Sequence, residues 1–564
     1  MDFSVSDPIE RQDISNTGWR YFVASVLAFC LAVTLTDGYF WGDSADYVDS
    51  ITAYFEGRYY DFVDFGHVIW RPLGWLLWMM TSDQSITATW RLEIFNRLQW
   101  INLACGLFSS ILFANILQKV IRNFLVSNLI LLAFIVSHAF LNFSQTGASY
   151  GGALLFLLLA IRLSVVCEKQ AWFTSFCAGM ALAISVGFWI AFIWVVPAVL
   201  LLGLIFCGVS RSEISRSVYA LIGFVIGTVI VFGSAMIVMN ISSLDALLAW
   251  IRHSSHGNET FGFMRAAFGF PRTFIYMASG GAEIKRLIFG DPYNPVYFWN
   301  LVNETLIKVA VFYAVIAVVF IRSLAYQTSR KAVLFALSSI VPHFAFSIFF
   351  DGAAIERFLP VLPATLLALG IYIDREASKT IRCLVALTVM LVPIINFTAM
   401  MRWRNEPAPP EVISRAMIVD YSAKASDVVF LVTWQDELMN FNRSFPTHRL
   451  NRYGNLRYAV VATPGLSQTA TWREEFSLRV LRAWEQDKAV WISIRALSRV
   501  PKAEWNWIEG DDKNIRWGDF HDFFSQLEFG LQFGDNDGFI SIPQSELNKS
   551  YLREFAVRYP GTIH

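Results

Sequence analysis

Eleven apolar runs of about membrane-spanning length leave this chain one broad way to fold. They lie near 19–35, 98–118, 124–140, 148–166, 172–186, 188–208, 217–239, 301–321, 332–350, 357–373 and 381–400. A helix needs roughly 20 apolar residues to cross ~30 Å of hydrocarbon. In lipid its backbone must satisfy its own hydrogen bonds, so such runs read as helices. Only 16% of the residues are charged, against about 25% in an ordinary soluble domain. The expected class is a polytopic α-helical membrane protein. Its formal net charge of zero provides no global field for nucleic acid, and no nucleic-acid partner is expected.

The N-terminal stretch MDFSVSDPIERQDISNTGWR has neither a cationic start nor a small-residue cleavage site. Trp19 to Leu35 therefore reads as a retained first span and not as a removed signal peptide. All six cysteines lie in or beside apolar runs without metal-ligand spacing. They read as small buried apolar residues.

The polar breaks sort by charge. Lys119 and Arg122, Lys169, Arg211 and Arg216, Arg322, Arg330 and Lys331, then Arg375, Lys379 and Arg382 fall on alternate breaks. The positive-inside rule makes that side cytoplasmic, together with residues 1–18. The opposite side receives a first loop over 37–97, a break near Gln145, a long loop over 240–300, the DGAAIER break and everything beyond Arg402. Val68 to Met80 is apolar but too short to span. It reads as an interfacial or re-entrant helix with Trp70, Trp75 and Trp78 at headgroup level.

Residues 19–404 thus form a membrane domain, and NEPAPPE opens a linker at 405–410. Beyond it, residues 411–564 suit one soluble extracytoplasmic α/β domain. DVVFLVTW and KAVWISI have the length and composition of buried strands. TWREEFSLRVLRAWEQ has helical spacing, with Phe476, Leu478, Leu481 and Trp484 expected on one face. GDNDG at 534–538 lacks the spacing and terminal glutamate of a calcium loop and reads as a turn.

Chemistry concentrates behind the first span, in DGYFWGDSADYVDSITAYFEGRYYDFVDFGHVIWR. Carboxylates at a bilayer edge are costly unless they face water or do work. Ser44 to Glu56 has helical spacing, and its apolar stripe of Ala45, Val48, Ile51, Thr52 and Phe55 would lie along the membrane surface. Asp43 then stands at the first turn, as a cap or as a catalytic group. Asp46 falls one turn on, as a second acid, a metal ligand or a solvated neighbour. Further on, Glu356 and Arg357 open the span at 357. The arginine is placed either to hold a phosphate or to snorkel beside Glu356. The loop 240–300 adds Arg252, His253, His256 and Lys285. The two histidines lack an evident third ligand, so no metal is assigned.

Together these stretches resemble the GT-C superfamily of membrane glycosyltransferases, within it the protein O-mannosyltransferase and lipid A aminoarabinose-transferase branch. Asp43 and Tyr47 match the ends of a D-E-x-x-Y motif, with Ser44 where glutamate is common. GRYYDFVDFGH at 57–67 is similar to the second first-loop element, and HVIWRPL to a loosened H-P-P segment. ERFLPVLP at 356–363 resembles the R-Y-L-L-P-x-L-P signature.

The resemblance implies a polyprenyl-phosphate-linked sugar as donor and a lipid, glycan or protein acceptor. Transfer would occur on the extracytoplasmic side, with inversion; a bacterial inner membrane is expected separately, because the final stretch VRYPGTIH carries no retrieval signal. It also implies Asp43 as the catalytic base, with Asp46 beside it. Tyr47, His67, Arg71, Arg252, His256, Lys285 and Arg357 are expected around the substrates. No cofactor is obligatory on this reading, and a divalent cation is left open. The competing readings are a lipid or sugar transporter or flippase, and a non-catalytic subunit that keeps the fold.

Overall fold

The structure is a computed structural model. It describes residues 14–38, 43–55, 62–81, 90–165, 171–254, 262–277, 287, 297–350, 352–376, 378–405, 417–418, 428–432, 459–462, 472–494, 497, 522–534 and 538–557. The chain divides into two compact units. One comprises Met1–Met80, Arg97–Lys285 and Tyr297–Asn405; the other comprises Thr81–Asn96, Arg286–Val296 and Glu406–His564.

The first unit is helical. Its elements are α1 (Ile14–Leu35), α2 (Ser44–Phe55), α3 (Trp70–Thr81), α4 (Trp90–Val120, which begins in the second unit), α5 (Phe124–Ile135), α6 (His138–Phe143), α7 (Tyr150–Val165) and α8 (Ala171–Phe188). Then follow α9 (Val196–Leu200), α10 (Leu202–Cys207), α11 (Arg211–Val238), α12 (Leu244–Ser254), α13 (Phe263–Phe274), α14 (Phe298–Leu301), α15 (Ile307–Ser323), α16 (Gln327–Phe349), α17 (Leu362–Arg375) and α18 (Lys379–Asn405). Seven helices among the described residues are long and apolar enough to cross a membrane: Gly18–Leu35, Glu93–Val120, Ile190–Cys207, Arg211–Val238, Phe298–Ser323, Ser329–Phe349 and Lys379–Asn405.

The remaining expected spans are shorter helices, α5, α7, α8 and α17. Packing explains their length. α17 is buried at every position from Leu362 to Ile373, so protein and not lipid surrounds it. The run at 124–140 breaks between α5 and α6. There the Asn396 amide of α18 takes over the backbone, donating to Val136 O at 2.8 Å and to Phe274 O at 2.7 Å. The same side chain accepts from Tyr276 N at 2.6 Å, which ties the end of α13 into the bundle.

Small residues set the closest packing. α8 lies against α11 through Gly179, Gly223 and Gly227, the last two forming a G-x-x-x-G pair. Such pairs let helix backbones approach closely. A Cβ on Gly223 would overlap the Phe176 carbonyl oxygen, and one on Gly179 would overlap that of Ala220. Because the obstacle is backbone, relief requires the helices to separate. Gly223→Val is therefore expected to cost about 1–3 kcal/mol, read as a lower unfolding temperature in nanodiscs.

The loops gather in two sets. The first set is stitched by Asp374, which accepts from the N–H groups of Arg122 and Asn123 at 3.2 and 3.0 Å. Glu376 belongs to it, accepting from Arg322 Nε at 3.3 Å and Tyr326 OH at 3.4 Å. These are the breaks that carry the basic clusters. The second set joins the first loop, the 144–149 turn, α12, α13 and the turn before α17. Within it, Gly262 N donates to Ile348 O at 2.8 Å and Arg272 Nη1 to Ala353 O at 3.0 Å.

Three expectations change. α3 is 12 residues long, ~18 Å at 1.5 Å per residue, which is too short to span. However, Trp70 and Trp78 are buried in protein, not placed at headgroup level. Trp70 Nε1 donates to Gly147 O at 2.9 Å, and satisfying that N–H is what a buried indole requires. α2 likewise does not lie with its apolar stripe against lipid. Val48 and Ile51 are fully buried, with Ile51 packed beside Gly74 of α3. Thirdly, of the described cysteines only Cys105 is buried; Cys30, Cys207 and Cys383 are exposed on span surfaces, where lipid can replace a protein core, and Cys167 lies outside the described residues.

The second unit contains a five-stranded mixed sheet of order β2-β1-β3-β5-β4. Its strands are β1 (Val428–Val432), β2 (Ala459–Ala462), β3 (Ala489–Ser493), β4 (Gln532–Phe533) and β5 (Phe539–Ile542). β1 pairs in parallel with β2 and β3, while β5 runs antiparallel to β3 and β4. The GDNDG segment joins β4 to β5, although residues 535–537 lie outside the described residues. Two helices, α19 (Trp472–Glu485) and α20 (Glu546–Ala556), complete the core with Phe523 and Phe524. The buried face of α19 is Phe476, Val480, Ala483 and Trp484, with Leu481 packed against it; of the expected set, only Leu478 is not part of this core. Steps of four, three and one follow the 3.6-residue period more closely than steps of two and three.

Candidate active site

Asp43 immediately precedes α2, and its carbonyl accepts the first helical N–H, from Tyr47, at 3.0 Å. One helical turn brings the Tyr47 hydroxyl back over the same residue. It donates to Asp43 Oδ2 at 3.2 Å. A second hydroxyl, of Tyr150 at the start of α7, reaches the same oxygen at 3.0 Å. Asp43 is half-buried and both tyrosines are fully buried. Among the described residues, Oδ1 carries no hydrogen bond. One oxygen is thus held by two donors, and the other accepts from no described residue.

Behind Tyr47 lies a polar chain. Its hydroxyl is 3.3 Å from Ser149 Oγ, which is 2.8 Å from His67 Nδ1. The same nitrogen lies 3.2 Å from Phe188 O. His67 closes a short 3-10 turn, Phe65–His67, whose geometry is set by its N–H bonding to Asp64 O at 3.0 Å. Burial lowers the His67 pKa from 6.5, against the opposing charges of Asp64 and Asp43, so the imidazole favours its neutral form. Burial, and then the Asp43 charge, raises the Tyr47 hydroxyl well above its ordinary value, keeping it a donor. The Arg71 guanidinium sits over the Tyr47 ring, 5.2 Å from its centroid. Arg71 and Asp64 are both buried in this cluster.

The turn before α17 supplies the second cation. Glu356 and Arg357 are buried, so the arginine does not snorkel along a lipid-facing helix. Its guanidinium lies 5.6 Å from the ring centre of Trp189, 5.8 Å from Phe346 and 5.4 Å from Phe350. Rings in that range attract a cation through their quadrupoles. The His343 Nε2–H donates to the Arg357 carbonyl, which anchors the turn to α16. Trp189 also packs on Tyr150 with 4.6 Å between ring centres, so one indole touches both the tyrosine that holds Asp43 and the cation.

The other expected residues are placed as follows. Asp46 is exposed on α2. Arg252 is exposed on α12, which docks on the first loop: Trp250 Nε1 donates to Val63 O and Gly66 N to Ser254 Oγ, each at 2.8 Å. His256 and Lys285 lie outside the described residues, as does the side chain of His253. Among the described residues, no group of three or more histidine, cysteine and acidic side chains is arranged to hold a metal ion. Sequence reasoning missed Tyr150, Ser149, Trp189 and Asp64. The signal for the first two was the Gly- and Ser-rich break QTGASYGG between two apolar runs.

No family model matches this chain, and no curated protein matches it. Solved structures do. ArnT from Cupriavidus metallidurans in the apo state superposes with a TM-score of 0.51 at 12% identity, covering 93% of this chain and 98% of that one. The Archaeoglobus fulgidus oligosaccharyltransferase in its apo form gives 0.50 at 11% identity, covering 95% and 76%. At such identity the likeness concerns the fold, and it extends over nearly the whole chain. The chain thus shares its fold with these two proteins, and with seven apolar helices of spanning length among the described residues it is an integral membrane protein.

Proposed function

We propose that this protein is a membrane glycosyltransferase that moves a sugar from a polyprenyl-phosphate donor to an acceptor hydroxyl. Transfer would take place on the extracytoplasmic face of a bacterial inner membrane, with residues 1–18 cytoplasmic and residues 411–564 on the outer side. The observation that carries this reading is the Asp43 carboxylate, with two tyrosines on Oδ2 and an Oδ1 that no described residue bonds. In the reaction, the acceptor oxygen bonds to the anomeric carbon as the bond from that carbon to the phosphate oxygen breaks. The bonding pair leaves with the lipid phosphate, and the hydroxyl proton passes to Asp43 Oδ1. Attack opposite the leaving group inverts the anomeric centre. The sugar acquires oxocarbenium character on the way. Arg357 and Arg71 would meet the anionic charge that develops on the departing phosphate. Arg252 would contact the substrates, with His256 and Lys285 as further partners in the 240–300 loop, while His67, buried behind Ser149 and Tyr47, would act on them through that chain. The reading requires no bound cofactor.

The test supplies reconstituted protein with synthetic polyprenyl-phosphate sugars, nucleotide sugars and a panel of lipid, glycan and peptide acceptors. Release of polyprenyl phosphate with a glycosylated acceptor is the expected result. Turnover of nucleotide sugars alone, or movement of intact lipid-linked sugar across vesicles without cleavage, would replace this function with another.

A further inference from the structure

The hydrogen-bond chain behind Asp43 has only one self-consistent direction. A carboxylate accepts, so the Tyr47 hydroxyl must donate to Asp43 Oδ2. Having spent its proton there, Tyr47 can only accept from Ser149 Oγ, 3.3 Å away. Ser149 in turn can only accept from His67, which requires a proton on Nδ1, 2.8 Å away. The far end imposes the same condition independently. The Phe188 carbonyl, 3.2 Å from Nδ1, is an acceptor and also demands an N–H there. Carboxylate at one end and carbonyl at the other agree on every proton between them.

We infer that His67 and Ser149 are positioning residues that force the Tyr47 hydroxyl to point its proton at Asp43, keeping the base in one orientation with Oδ1 toward the acceptor. This inference rests on Asp43 being the base. Ser149 is fully buried, so water does not offer its hydroxyl another arrangement. Burial keeps His67 neutral, and its neutral form has one N–H to assign. With the proton on Nδ1, the imidazole orients the chain as a fixed donor, a task for which Nε2 is not used.

Two amides separate the ring nitrogens. Asparagine places its N–H₂ near the Nδ1 position, whereas glutamine reaches the Nε2 position. The expected result is that H67Q and S149A each lower kcat by about tenfold, the scale of one lost hydrogen bond. KM for donor and acceptor should stay within about twofold. H67N should recover most of the loss seen in H67Q. In a Tyr47→Phe background, which has no hydroxyl to orient, S149A should add no more than about twofold. Melting temperatures of all variants in nanodiscs separate loss of fold from loss of orientation.

Full additivity of S149A with Y47F overturns the inference, as does H67Q working as well as H67N, which would assign His67 to substrate through Nε2. Asp43→Asn, measured alongside, separates the two levels. Wild-type turnover in that variant would sink the base assignment itself. Loss of turnover there, combined with additivity in the cycle, would sink only the chain.

Discussion

Asp43→Asn is expected to lower the turnover of sugar transfer by about 10²–10⁴-fold, the range for removing a general base. On the rate scale this is ~3–5.5 kcal/mol of lost transition-state stabilisation. The substitution is a close test because it keeps the surroundings intact. An asparagine carbonyl can still accept from both Tyr47 and Tyr150, which now bond to Asp43 at 3.2 and 3.0 Å. Shape, packing and helix start are retained, and only the capacity to take a proton is lost. A capping residue would behave differently, because Asp→Asn is close to neutral at a helix N-cap. Insertion, melting temperature and donor KM should therefore stay near wild type while kcat collapses. Unchanged kcat would return Asp43 to a purely structural role.

Arg357→Met should reduce kcat/KM for the lipid donor by about 10²–10³-fold, comparable with removing one preorganised stabiliser of developing charge. Methionine is a suitable replacement because the site is already lined by Trp189, Phe346 and Phe350, and thioethers pack well against aromatic rings. The fold should persist without the cation. Arg357→Lys should not restore activity. A lysine ammonium is a point charge without the planar face that lies among these rings or the fork that grips a phosphate. Rates with donors of different leaving-group anionic character provide the check. If Arg357 binds donor and transition state equally, KM rises and kcat holds; if it serves only the transition state, kcat falls. Normal kinetics in both variants would leave the arginine as an aromatic-packed anchor for the turn it occupies.

Much of the site was legible because its first half is local. Asp43 and Tyr47 are four residues apart, and helical geometry alone brings such a pair together. Arg357 was legible as a charge at the mouth of an apolar run. Tyr150 was not, since it meets Asp43 across 107 positions of sequence. Nor was Ser149, which meets His67 across 82. The short helices α5 and α17 passed for ordinary spans because hydropathy does not distinguish a lipid-facing surface from a protein-buried one. The tryptophans of α3 misled for the same reason. A Trp at an apolar edge suits an interface, but Trp70 found a carbonyl at Gly147 instead.

The amino-acid sequence by itself determined a many-span helical bundle, an αβ tail and an acid one helical turn from a tyrosine. These follow from hydropathy and from 3.6-residue periodicity, which act over one element at a time. Only the tertiary structure decided that a second tyrosine holds the same carboxylate oxygen, and that a buried serine and histidine set its partner's direction. That outcome depends on which distant turns pack against the first loop, and local propensity, which acts within one element, does not select them.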